Sequence, residues 1–177
     1  RGHNFRDPMT VTNPTRTKNE PRVEDDALVR GNGRFMDDPQ LPNQAYATFV
    51  RSPHAHARIA SVNIEEARKA RGVLAVLVAD DMKAAGVKAA GRSPPMTGRG
   101  GKEMIQPFRP ALAGERVCYV GEAVAAVVAE TRALAQDAAD LIVVGYEELP
   151  AVVDVRDALK KDAPQIHPEA PGNLALD

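Results

Sequence analysis

The sequence has no tryptophan, one cysteine and few aromatic residues of any kind, and each shortage removes a class of function. Aromatics make up 4% of 177 residues, too few for the stacked platforms that hold single-stranded bases. A lone cysteine, Cys118, cannot form an intrachain disulfide or a thiolate metal site within this chain. It lies in an apolar strand pattern and reads as a small core hydrophobe rather than a reactive thiol. No apolar run reaches the roughly 18 residues of a membrane span, and the first twenty residues hold no signal-peptide core. The formal net charge of −1 supplies no field to collect nucleic acid or an anionic membrane. A reducing, cytoplasmic compartment is the expectation.

What is present is an ordinary soluble composition, 44% apolar and 27% charged, long enough for one domain with a core built from Val, Ala, Leu and Ile. Residues 1–21 are polar and aperiodic and read as a disordered lead-in. Met9 stands as a candidate start, which would leave residues 1–8 as a vector-derived tag. Residues 22–160 carry the periodic patterns. From 161 to 177 the chain holds Pro164, Pro168 and Pro171 and reads as an extended linker.

Within 22–160, Ala45–Val50 and Ala57–Val62 have strand composition. Asn63 and Glu66 have the spacing of a capping box opening a short helix, with Arg68 and Lys69 near its negative end and Gly72 closing it. Val73–Ala79 is a continuous apolar run, as for a strand covered on both faces. Asp80 is placed to cap a further helical turn that ends at Gly86. Ala123–Ala129 is a second continuous run. Thr131 caps a helix with Leu134, Ala138 and Leu141 on one face and Arg132, Gln136 and Asp140 opposite. A strand over Ile142–Tyr146, a turn at Glu147–Pro150 and a last strand over Ala151–Val155 complete the pattern. The fold class is α+β, a single domain with a mixed sheet and short helices.

Candidate chemistry is sparse. His54 and His56, two apart in an extended segment, would share one face as metal ligands do, but no third ligand lies nearby, and backbone-bonded imidazoles or an interface are the plainer reading. His3 and His167 fall in the terminal segments. Thr97–Lys102 (TGRGGK) could form a backbone nest for phosphate, yet it lacks P-loop spacing and does not lead from a strand into a helix. Gly121–Ala125 (GEAVA) reads as a turn. The pairs Asp25–Asp26, Asp37–Asp38, Glu65–Glu66, Asp80–Asp81 and Glu147–Glu148 are adjacent, so their side chains point apart and suit caps and turns better than acid–base couples. The long connection from Val87 to Arg109 is basic, with Lys88, Arg92, Arg99, Lys102 and Arg109 against Glu103 alone. No nucleophile elbow, HExxH or CxxC occurs. No catalytic, cofactor-binding or metal residue is assigned in this chain.

Five stretches in order, RVEDDALVRGNGRFMDD (22–38), AYATFVRSPHAHARIASVNIEEA (45–67), GVLAVLVADDM (72–82), RPALAGERVCYVGEAVAAVVAET (109–131) and AQDAADLIVVGYEELPAVVD (135–154), resemble the a/b hammerhead domain of the xanthine dehydrogenase and aldehyde oxidase family of molybdenum hydroxylases. They look most like molybdopterin-binding large subunits of the aerobic carbon monoxide dehydrogenase type, and PGNLALD (171–177) resembles the exit toward that family's molybdenum domains. The resemblance implies a structural, interdomain part of an oxidoreductase large subunit, inactive as the isolated 177-residue chain. It implies a molybdopterin-type cofactor, [2Fe-2S] clusters and FAD in the complete enzyme and none in this chain. Its partners would be the remaining molybdenum domains and the iron–sulfur and FAD subunits. The substrate stays open between carbon monoxide, an aldehyde, a purine or another N-heterocycle. The alternative is a free-standing module that uses the basic loop 87–109 to hold an anionic ligand or a protein.

Overall fold

The computed structural model describes residues 22–36, 38–88 and 94–177. In chain order the elements are α1 (Asp25–Val29), β1 (Tyr46–Arg51), β2 (Ala57–Asn63), α2 (Glu65–Lys69), β3 (Val73–Val78) and α3 (Ala79–Ala84), then β4 (Arg116–Val117), β5 (Ala123–Ala129), α4 (Arg132–Ala139), β6 (Val143–Glu148) and α5 (Val155–Ala158). The lead-in over 1–21 lies outside the described residues. The chain divides into two compact units, Arg1–Pro42 and Asn43–Asp177. In the first, Asp25 accepts the Arg22 N–H at 2.9 Å to open α1, and Asp26 pairs with Arg30 one turn on at 2.8 Å.

The second unit holds two three-stranded sheets, ordered β1–β5–β3 and β4–β2–β6, and every ladder in them is antiparallel. β5 explains the arrangement. Its alternate side chains serve two cores, because successive residues of a strand face opposite ways. Ala125 and Val127 pack with Ile64, Ala67, Val76, Ala138 and Ala139 beneath α2 and α4. Val124 points the other way and packs with Ala57, Ile59, Ala113 and Val117 of the second sheet and its approach. A strand apolar on both faces is what such a position needs.

β3 has the same composition but lies at an edge, and Leu74 is 58% exposed, so the expected two-sided burial does not extend to it. α4 begins as its sequence predicts, with Thr131 Oγ1 accepting the Leu134 N–H at 3.2 Å. Its buried residues are Ala135, Ala138 and Ala139. Leu141, expected on that face, is exposed and Ile142 is buried instead, since the helix stops at Ala139 and its 3.6-residue period stops with it. Asn63 Oδ1 accepts the Glu65 N–H at 3.2 Å to start α2, while Glu66 pairs with Lys69. α3 starts at Ala79, and Asp81, not Asp80, anchors it by accepting the Val78 N–H at 2.8 Å. The strand expected over Ala151–Val155 does not form. The Leu149 N–H closes the ladder on His56 O, Pro150 has no N–H to continue it, and Asp154 accepts the Arg156 N–H at 2.8 Å to open α5.

Candidate functional site

The Val87–Arg109 connection is tied down at its far end. Thr97 and Glu103 form an antiparallel bridge around a 3₁₀ turn at Arg99–Gly101, and the Met104 N–H bonds Met96 O at 2.9 Å. The last residues of the chain lie along this small hairpin. The Ile105 N–H donates to Ala175 O at 2.8 Å and the Arg99 N–H to Asp177 O. A Cβ on Gly98 would collide with the Asp177 carbonyl, so glycine there permits the close approach. The segment 161–177 is held further upstream as well: Asn173 Nδ2 donates to Ala158 O and Pro164 O, and its Oδ1 accepts the Ile166 N–H.

These contacts decide the phosphate-nest reading. Gly100 and Gly101 do have positive φ, 72° and 76°. However, the N–H groups of Gly98, Arg99 and Gly101 already bond Lys102 O, Asp177 O and Gly98 O. An anion would have to displace the protein's own carbonyls, so the nest contradicts its own use as a phosphate cradle. Arg92 lies outside the described residues, as do His3 and Asp37.

The chain bends between β1 and β2 rather than running extended, and the two histidines meet different partners. His54 Nδ1 lies 3.5 Å from Glu148 Oε1, and its ring is 4.8 Å from Tyr146. His56 is buried, with Nδ1 2.7 Å from Pro150 O. A carbonyl only accepts, so Nδ1 donates to it, and Nε2 is buried without a partner. Burial raises the Tyr146 hydroxyl above its usual pKa, with Ser52 nearby opposing the shift. Among the described residues no three His, Cys, Asp or Glu side chains converge as metal ligands. The carboxylate pairs behave as caps and surface partners: Asp38 accepts the Phe35 N–H, Glu147 binds Arg58, and Glu148 faces His54.

One feature escaped the sequence reading. A cleft of about 950 Å³ opens between α3, the stretch from Ile105 to Tyr119, and the returning segment around Ile166–Glu169. At its floor is Glu122, 7% exposed. The GEAVA turn places it there: the Gly121 N–H bonds Ser52 O, and the Ser52 N–H bonds Glu122 O. Glu122 Oε2 accepts the Cys118 N–H at 2.6 Å. Burial first, then the Glu122 charge, raises the Cys118 thiol above its ordinary pKa, which fits an inert thiol rather than a nucleophile. The available signal was a carboxylate standing directly before an unbroken apolar strand, where a purely solvated glutamate is out of place.

Residues 30–150 match the family model described as the aldehyde oxidase and xanthine dehydrogenase a/b hammerhead domain. The carbon monoxide dehydrogenase large chain of Afipia carboxidovorans is 39% identical over 143 residues, which are 81% of this chain and 16% of that protein. The nicotine 6-hydroxylase large subunit of Paenarthrobacter nicotinovorans is 37% identical over 161 residues, 90% of this chain and 19% of that one. Among solved structures, quinoline 2-oxidoreductase from Pseudomonas putida 86 superposes with a TM-score of 0.70 at 39% identity, covering 80% of this chain and 17% of that chain. The chain thus spans less than a fifth of the length of these relatives. With two antiparallel sheets, short helices and a family match across most of its second unit, the protein belongs to the aldehyde oxidase and xanthine dehydrogenase family and carries its a/b hammerhead domain.

Proposed function

We propose that this chain is a structural, interdomain part of the large, molybdopterin-binding subunit of a molybdenum hydroxylase, and that the reacting groups lie on other domains. The observation that carries the reading is coverage: matches span 81–90% of this chain and only 16–19% of relatives named as large chains or subunits. The hairpin at 97–103 and the segment 174–177 that bonds it form the face offered to the remaining molybdenum domains. Iron–sulfur and FAD subunits would complete the assembly, in a cytoplasmic enzyme. The rival, an anion-binding module using loop 87–109, has less support because the Gly98, Arg99 and Gly101 amides of its glycine-rich turn are engaged within the chain.

A molybdopterin-type cofactor would supply oxidative hydroxylation when bound. The residues here do not fit it. The Gly98, Arg99 and Gly101 amides of the glycine-rich turn are bonded internally, the described residues converge no metal ligands, and burial and Glu122 raise the Cys118 thiol pKa. No step of the reaction is therefore assigned to this chain.

The test is reconstitution. The purified chain alone should be colourless and inactive toward carbon monoxide, aldehydes and purines. Mixed with the remaining domains of a large subunit it should co-elute on gel filtration. Bound molybdenum in the isolated chain, or separate elution of the mixture, would overturn the proposal.

A further inference from the structure

Glu122 poses a question that the scaffold role does not answer. A carboxylate more than nine-tenths buried normally has its oxygens satisfied by several donors or by a cation. Here Oε2 has one, the Cys118 N–H. Oε1 has no protein hydrogen-bond partner among the described residues and is not one of the buried orphaned atoms, so it opens onto the solvent of the cleft. No lysine, arginine or histidine lies within ion-pair distance among the described residues. The Glu122 side chain lines the cleft.

The surroundings define what could meet it. The rim carries Asp80, Glu115 and Glu169 against Lys83, Arg109 and Arg116. All six are exposed, so they are screened and balanced in sign, and they give little net preference. The walls are apolar, with Leu112 and Ile166 and the half-exposed rings of Phe108 and Tyr119. Charge selection therefore falls to Glu122, 7% exposed as a residue with Oε1 open to the cleft, where partial removal from water strengthens a charge-assisted hydrogen bond. A volume of about 950 Å³ is at the upper end for a small-molecule site.

From this geometry we infer that the cleft between α3, residues 105–119 and residues 166–169 is a binding site for a hydrogen-bond-donating organic cation, a protonated amine or an amidinium on an apolar body, with Glu122 Oε1 as its acceptor. The apolar body packs between Phe108 and Tyr119, and the cationic head reaches the floor. Cys118 positions the acceptor through its backbone N–H and leaves its thiol out of the chemistry. The same chemistry is offered by a free amine and by a basic side chain on a polypeptide.

The test uses the ¹⁵N-labelled 177-residue chain titrated with benzamidine, with benzamide as the uncharged isostere. Benzamidine should shift the Cys118 amide saturably, together with Tyr119 and Glu122, with a Kd on the order of 1 mM for a fragment of that size. Benzamide should bind at least about tenfold more weakly, and Glu122→Gln should weaken benzamidine by a similar factor while the β5 amides keep their positions. Equal binding of the two probes to the unmodified chain overturns the inference without relying on any variant. So does an unmoved Cys118 amide, or benzamidine binding unchanged in E122Q. An acetylated Arg–Phe amide separates the sources: tighter binding than benzamidine assigns a polypeptide side chain, and weaker binding assigns a free amine. Neither result bears on reconstitution with the molybdenum domains, so the two proposals fail separately.

Discussion

Val127 and Leu74 sit in two apolar runs that look alike, and truncating each to alanine separates what the fold makes of them. Val127 is fully buried among Ile64, Ala67, Val76 and Ala138. Val127→Ala removes two methyl groups at about 0.8 kcal/mol each, plus a cavity term because a close-packed core relaxes only in part. The sum is about 2–3 kcal/mol, which for a chain of this size lowers Tm by roughly 5–10 °C. Leu74 is 58% exposed on the edge strand, so Leu74→Ala deletes more atoms yet should cost under about 1 kcal/mol. Urea denaturation followed by far-UV circular dichroism measures both, and unchanged m-values would show that the native state was the one altered. If the two variants fall within about 0.5 kcal/mol of each other, the assignment of β5 as central and β3 as edge is wrong.

Gly98→Ala should push the 97–103 hairpin away from Asp177, raising hydrogen exchange at the Arg99 and Ile105 amides that bond Asp177 O and Ala175 O, with β5 amides unaffected; unchanged protection would remove the clasp from the account. Cys118 should react slowly with iodoacetamide at neutral pH and accelerate only above the ordinary thiol range, because burial and Glu122 raise its pKa; rapid labelling at pH 7 would refute this. Asp154 is held below its usual pKa first by the Arg156 side chain and then by the Arg156 N–H. Its contribution is therefore present above the unfolded carboxylate pKa and lost as pH falls through the lower folded value. Asp154→Asn should lower stability at neutral pH, and the gap to the unmodified chain should close in acid. A gap that persists in strong acid contradicts the sign.

Where local rules governed the outcome, the residues were readable in advance. Thr131 caps α4 at the spacing its sequence predicts, and the glycines after α2 and α3 take the positive φ expected of them, whereas Asn63 bonds Glu65 two residues on and the capping box with Glu66 does not form. Rules that rely on a period failed where the period ended, as at Leu141, one residue past the cap of α4. For the His54–His56 pair the plainer reading holds at His56, whose Nδ1 meets the Pro150 carbonyl, although the segment is a bend rather than the extended run expected. Glu122 was read as turn chemistry, and it does sit in a turn. What turned it into a site was Cys118 four residues upstream and the returning segment near Ile166, and pairwise sequence spacing does not report such an approach.

The sequence by itself determined β1, β2, α2, β3, β5, α4 and β6, though not α1 or α5, together with the apolar pattern of β5 and, through five stretches in register, the family. Those properties follow from short-range sterics, capping and side-chain period, which each segment carries with it wherever it lies. Only the tertiary structure decided which apolar run became the covered strand, that the glycine-rich turn bonds the chain's own carbonyls, and that one glutamate lies beneath a cleft. These depend on contacts between residues tens of positions apart, and burial is a property of the packed chain rather than of any segment in it.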